Sequence, residues 1–280
     1  MDKRRVTQIL ATLISNSNIN GFFQSNIYKG NVKKICVPGL NCYSCPGAMG
    51  SCPIGSMQAV IGSIKYNVSL YIVGFISLMG IIFGRFICGW LCPFGLIQDL
   101  LNKIPSPKIN VNSKVNNIMK YFKYVILIVF VILLPMFLVD EFGMSPPYFC
   151  QYICPVGTLE GGIPLVLMNE SLRGAIGFLF AWKMVILIVT IIASIIIYRP
   201  FCRYICPLGA LYGLFNKISF YKYKVDKDKC TSCNVCVKKC NMNIKIYKKP
   251  NNSECIRCGE CIKACPTKAI KKESGIKYLL

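Results

Sequence analysis

Between Cys230 and Pro266 the chain reads C-T-S-C-N-V-C-V-K-K-C-N, a short basic spacer, then C-I-R-C-G-E-C-I-K-A-C-P. Both halves have the spacing C-x2-C-x2-C-x3-C, and they start 25 residues apart, at Cys230 and Cys255. Three thiolates in seven residues let a tight loop wrap one face of an iron–sulfur cubane, while the fourth points to a neighbouring site. The spacing therefore assigns Cys230, Cys233, Cys236 and Cys265 to one [4Fe-4S] cluster and Cys255, Cys258, Cys261 and Cys240 to a second. Paired zinc knuckles are the rival reading, but they put two C-x2-C pairs across a longer loop. The first set ends Cys240-Asn241, where the second ends Cys265-Pro266. The missing proline weakens a helix stop and removes no ligand.

Ten further cysteines lie upstream, and the chain has no histidine. That absence excludes His-ligated haem, Rieske centres and every nucleophile that depends on a His base. Two segments align without a gap: G-R-F-I-C-G-W-L-C-P-F-G-L-I-Q-D-L-L-N-K-I at 84–104 and Y-R-P-F-C-R-Y-I-C-P-L-G-A-L-Y-G-L-F-N-K-I at 198–218, with nine of 21 positions identical. C-x3-C-P puts two thiols one helical turn apart on one face. Two such motifs supply four thiolates, Cys88, Cys92, Cys202 and Cys206, and predict a third cluster. A second matched pair, C-P-I-G-S-M-Q at Cys52 and C-P-V-G-T-L-E at Cys154, predicts a fourth, held by Cys45, Cys52, Cys150 and Cys154. Cys42 is the main substitute for Cys45, and Cys36 the weaker one. Disulfides are the rival for this outer set if it faces an oxidising compartment.

The elements that must position these cysteines are membrane helices. Hydrophobic residues make up 54% of the 280-residue chain, and they are concentrated in runs. Spans are expected at 67–84, 124–139 with a kink at Pro135, and 175–198. A helix over 6–24 lies in or on the membrane. Lys183 falls inside the last span and is read as snorkelling to the interface beside Trp182, with a functional intramembrane charge near a cofactor as the alternative. Two halves, each a cysteine–proline loop, a membrane helix and a C-x3-C-P motif, look like parallel repeats. The fold expected is thus an integral-membrane α-helical domain over 1–218, with three to four spans and an internal parallel repeat. A small α+β ferredoxin-type domain with two clusters follows over 219–280.

The net charge is +22, and residues 219–280 carry 15 Lys and Arg against 5 Asp and Glu. A basic tail suits the cytoplasmic side and an acidic redox donor. No nucleic-acid motif accompanies the charge. By the same rule the basic 85–123 stretch is cytoplasmic, and the loop with Asp140, Glu141, Glu160 and Glu170 external.

These motifs resemble the polyferredoxin-like membrane proteins of the NapH and NosR type. The resemblance rests on Cys88–Pro93, Cys202–Pro207, the 230–265 run and the C-V-P-G-L-N-C-Y-S-C-P-G-A stretch, which is typical of clostridial-type members. It implies a membrane-bound electron-transfer protein between a cytoplasmic donor or quinone pool and a partner reductase. Donors of the flavoprotein or ferredoxin kind are implied, and chemistry belongs to the partner rather than to this chain. A membrane redox sensor and an iron–sulfur assembly or maturation factor are the alternatives.

Overall fold

A computed structural model describes residues 3–24, 26–63, 69–109, 113–141, 144–174 and 176–274. The first two residues of the expected 67–84 span, together with Lys65 and Ala175, lie outside them.

Among the described residues two helices are long and apolar enough to cross a membrane, Lys114–Phe137 with 24 residues and Phe178–Ile196 with 19. A helix rises 1.5 Å per residue and needs about 20 residues to cross the hydrocarbon core. The run expected at 67–84 forms only Tyr71–Phe83, 13 residues, and so falls short. The N-terminal helix is likewise short, Lys3–Ser15. It stops where Asn16, Ser17 and Asn18 compete for backbone hydrogen bonds. Its Arg4 donates to Gly89 O at 2.9 Å and Asp99 Oδ2 at 2.5 Å, which docks it on the Pro93–Leu101 helix.

The helix expected at 124–139 reaches back to Lys114, so the end of the presumed basic loop is helical. The reason is a tertiary partner, since Lys123 is buried and donates to Glu254 Oε1 at 2.5 Å. Leu127–Leu133 is a π-helical stretch that leads into Pro135. Proline has no N–H and its ring clashes with the carbonyl four residues back. The wider turn absorbs both, and the helix runs on. Thr158–Gly162 does the same ahead of Pro164.

Residues 219–274 form a two-stranded sheet flanking two cysteine loops. Tyr221–Val225 pairs antiparallel with Ile270–Ser274, in register from Tyr221↔Ser274 to Val225↔Ile270. Its buried side chains, Tyr223, Met242, Ile244, Ile246 and Ile270 among them, join one continuous core with Ile87, Phe94, Phe201 and Tyr212 of the helical part. The tail is packed onto the helices and does not hang from a linker.

Candidate metal centres

Four of the cysteine–proline steps in the helical part start helices. Cys52, Cys92, Cys154 and Cys206 each sit in extended backbone at the N-cap of a helix that begins with proline. Proline is tolerated there because its missing N–H would have no helical acceptor. The thiols then face the free amides and the positive end of the helix dipole. Gly209 N–H donates to Cys206 Sγ at 3.3 Å. In three of the four cases a one-turn helix precedes, Phe86–Trp90, Tyr148–Tyr152 and Pro200–Tyr204. Each carries the first cysteine of its C-x3-C-P motif.

Cys88, Cys92, Cys202 and Cys206 are all buried, and they are close enough to one another that their charges interact. Reciprocal arginines brace them. Arg85 Nη2 donates to Cys202 O at 2.9 Å, and Arg199 Nη1 donates to Cys88 O at 2.5 Å. These arginines are equivalent positions of the two aligned segments. Each is neutralised by one carboxylate shared with a second cation. Arg199 makes a fork with Asp99, at 2.7 and 2.6 Å, and Arg4 joins it. Arg85 meets Glu254 at 2.7 Å with Lys123. Burial acts against the ionised Asp99 and Glu254, but the cations hold both carboxyls below the usual range. Gln98 Nε2 donates to Cys202 Sγ at 3.0 Å.

The outer thiols surround a cavity of about 360 Å³. Cys42, Cys52, Cys150 and Cys154 line it, and Cys45 and Cys36 do not. Cys45 turns to Asn16 Oδ1 and Cys36 to Ser56 Oγ. Position 42 rather than 45 faces the cavity because Glu160 Oε2 accepts the Cys42 amide at 2.7 Å and pins the loop. Gln58 Nε2 donates to Cys150 Sγ at 3.3 Å. Burial pushes the Cys42 and Cys52 thiols up to about 12 and Cys150 up to about 11. Thiols this reluctant to ionise alone are ones that a metal must deprotonate as it binds. Lys183 is half-buried beside this cavity. A methyl on Gly157 would lie 3.5 Å from its Nζ and 3.7 Å from Cys42 Sγ. The snorkelling reading thus omits its neighbour, a thiol site, while Trp182 bonds Tyr152 O at 3.0 Å.

In the tail, one hollow is lined by Cys230, Cys233, Cys236 and Cys265, and another by Cys240, Cys255, Cys258 and Cys261. Left-handed residues recur at matched positions of the two loops: Ser232 and Arg257, Asn234 and Gly259, Asn243 and Lys268. Such turns aim successive amides inward and form an anion-binding nest. Cys233 is exposed, whereas Cys255 and Cys261 are buried against the helices. Trp90 Nε1 and Tyr223 OH both donate to Arg257 O, at 3.0 and 2.9 Å, and Arg257 Nη1 caps Phe83 O at 2.8 Å. A side chain on Gly89 would collide with Ile256 O, so the loop that holds Cys255 and Cys258 lies directly on the loop that holds Cys88.

No group of three or more Cys, Asp or Glu among the described residues closes tightly enough to hold a single metal ion. The outer thiols and the two tail sets each line a hollow instead, as a group of several irons needs. The Nε–H of Arg85, beside Cys88 and Cys202, is buried without a protein acceptor, which suits a site where sulfide supplies one. Residues and cofactor therefore fit.

The family model described as "4Fe-4S binding domain" matches three stretches of the chain, 67–112, 122–163 and 178–225. A second 4Fe-4S binding domain model matches 249–271. An uncharacterized protein of Methanocaldococcus jannaschii is 32% identical over 227 residues, 78% of this chain and 84% of that protein. The chain belongs to the polyferredoxin-like 4Fe-4S binding proteins of the NapH and NosR type. The ferredoxin-type protein NapH of Escherichia coli is 25% identical over 191 residues, 67% of this chain and 59% of NapH. The regulatory protein NosR of Pseudomonas aeruginosa is 26% identical over 160 residues, 55% of this chain and 19% of NosR. No solved structure matches. The chain is thus an iron–sulfur protein with 4Fe-4S binding domains.

Two residues that touch sulfur, Gln58 and Gln98, went unread in the sequence. Their signal was present: each stands six residues after its cysteine, in C-P-I-G-S-M-Q and C-P-F-G-L-I-Q. Glu160 and Tyr212 hold the same place after Cys154 and Cys206, and these two reach the cysteine loop of 36–52.

Proposed function

We propose that this protein is an integral-membrane electron carrier with four [4Fe-4S] clusters in series. Cys230, Cys233, Cys236 and Cys265 hold the entry site. Cys240, Cys255, Cys258 and Cys261 hold the second, Cys88, Cys92, Cys202 and Cys206 the third, and Cys42, Cys52, Cys150 and Cys154 the fourth. The observation that carries this reading is the succession of four thiol sets, from a partly exposed loop at Cys230–Cys236 in the basic tail to sites buried among the helices, with the Cys255 loop in direct contact with the Cys88 helix at Gly89. The tail faces the cytoplasm and receives electrons from an acidic redox protein, by the charge of residues 219–280. The Lys114–Phe137 and Phe178–Ile196 helices anchor the carrier, and the 36–52 and 140–170 segments dip in from the other face. A partner reductase or a quinone on the far side takes the electrons, and substrate chemistry belongs to that partner.

A regulatory reading has one observation in its favour, the similarity to a protein named regulatory, and that alignment covers 19% of NosR. The carrier reading uses all four thiol sets.

The test is metal analysis of the full-length protein purified without oxygen. It should hold about sixteen irons, four per cluster. Cys42→Ser should lose one cluster's worth, and Cys45→Ser should keep all. Sealed vesicles should reduce an impermeant dye from the tail side, and Cys52→Ser with Cys154→Ser should abolish it. Unchanged iron in Cys42→Ser, or zinc in place of iron, would overturn the four-site reading.

A further inference from the structure

Residues 38–41 run along both thiol sets, touching the inner one at Cys92 and lining the outer cavity. Gly39 lies against Cys92: a side chain there would put its Cβ 2.8 Å from Cys92 Cα and 3.2 Å from Pro93 Cδ. Both neighbours belong to a helix start and cannot move aside. Glycine is needed for this approach, and it brings the next two amides between the sites. The Leu40 amide lies near enough to Cys92, and the Asn41 amide near enough to Cys52, for each to favour a thiolate there. Leu40 and Asn41 also line the outer cavity, and both are fully buried. Tyr212 clamps the strand from the inner side, its hydroxyl donating to Pro38 O at 3.0 Å.

We propose that Gly39-Leu40-Asn41 is the electron bridge between the inner and outer clusters, and that Gly39 and Tyr212 position it. The path is short: sulfur of Cys92, the Leu40 N–H, one residue of backbone, the Asn41 N–H, sulfur of Cys52. One electron passes from the inner group to the outer, so one is oxidised as the other is reduced. No bond breaks and no proton crosses. A membrane-length separation would stop direct transfer; the loop removes it by carrying the outer thiols down to the inner ones. This inference rests on the reading of clusters at both sites.

The experiment uses the full-length protein, reduced through its tail by a photoreduced flavin. Gly39→Ala should keep its iron, because no thiol is altered. It should slow reduction of the outer site several-fold, and it should weaken the broadening that two neighbouring reduced clusters impose on each other's paramagnetic spectra. Gly47→Ala is the control; its methyl meets the ring of Phe22 in the same loop, away from both sites. It should behave as the unaltered protein. If Gly39→Ala loses iron, Tyr212→Phe replaces it: the variant adds no bulk, frees Pro38 O, and should show the same two changes to a smaller degree. Full iron with an unchanged rate and spectrum in Gly39→Ala, or in Tyr212→Phe where that stands in, overturns the bridge alone. Outer iron missing from the unaltered protein overturns the bridge and the four-site reading together, and metal analysis shows this before any rate is measured.

Discussion

The inner and outer thiol sites are built from the same parts and differ in what surrounds them. Each has a cysteine–proline helix start whose glutamine, six residues on, bonds the sulfur of the facing C-x3-C-P motif: Gln98 to Cys202, Gln58 to Cys150. The inner site is closed by two such motifs and braced by two buried arginines, each held by a carboxylate shared with another cation. The outer site has one motif, a lone Cys52-Pro53 step and a loop cysteine pinned by Glu160. Same-sign charge lowers and opposite charge raises the stability of the more negative, reduced state. The inner site, with two cations per carboxylate, should therefore have the higher potential. The difference teaches that one repeated unit gives two sites, and that the charges set on it make them unlike.

The largest effect is expected where the inner site holds the tail and the outer site holds nothing comparable. Arg85→Gln leaves Glu254 and Lys123 buried beside a lost cation. Breaking such a buried pair costs about 3–5 kcal/mol, and the tail should come loose from the helices. Trp90, bonded to Arg257 O at the seam, reports this. In a Trp182→Phe background its emission should change, and a protease should cut near residue 219. Glu160→Gln at the outer site should leave that seam intact. An Arg85→Gln chain with a protected tail would break the distinction.

Acid should act on the same contacts. Asp99 and Glu254 are held below the ordinary carboxyl range in the folded chain, so the undocked form binds protons more readily. Their stabilisation is complete above the ordinary value of about 4. It is lost as the pH falls through the lowered folded values. The Trp90 signal should stay flat near neutrality and change only on the acid side. A midpoint near pH 7 would assign the latch to some other group.

Smaller shifts are expected from the two glutamines. Removing one N–H donor to sulfur destabilises the reduced state by about 0.5–1.5 kcal/mol, which is roughly 20–65 mV for one electron. Gln98→Leu should lower only the inner potential and Gln58→Leu only the outer, measured by redox titration of the paramagnetic signals. If either variant moves both signals equally, the equivalence of the two sites fails.

The grouping of the tail cysteines was legible because it follows local spacing; one doubled motif brings Cys240 to Cys255 and Cys265 to Cys230. The inner quartet was legible through the repeat. The loop of 36–52 was not: the repeat puts Cys45 ahead of Cys42, whereas Cys42 lines the cavity and Cys45 turns to Asn16, with Glu160 and Asn16 far away in sequence fixing the loop. Hydropathy misplaced the helix at Lys114–Phe137 for the same kind of reason: Lys123 reads as a loop charge until Glu254, 131 residues on, is placed beside it. The short Tyr71–Phe83 helix shows the converse. Its apolar run has a span's composition without a span's length.

Lys183 gives the smallest effect and the finest test of the comparison. It stands one turn inside the Phe178–Ile196 helix, with its amine aimed at the patch shared by Gly157 and Cys42, and the charge it sets on Cys150 is favourable to a thiolate. The outer site has no buried arginine pair; Lys33 acts on Cys42 and Cys45, and the Lys183 amine acts on Cys150. It is partly exposed, and screening limits a charge of that kind to about 0.2–1 kcal/mol, roughly 10–45 mV for one electron. Lys183→Gln should lower the outer potential by that amount and leave the inner one unmoved. Lys183→Arg, which keeps the charge, should restore it. A drop in Lys183→Gln that arginine does not reverse would make the effect one of packing, and the two sites would then differ only through the arginines at the inner one.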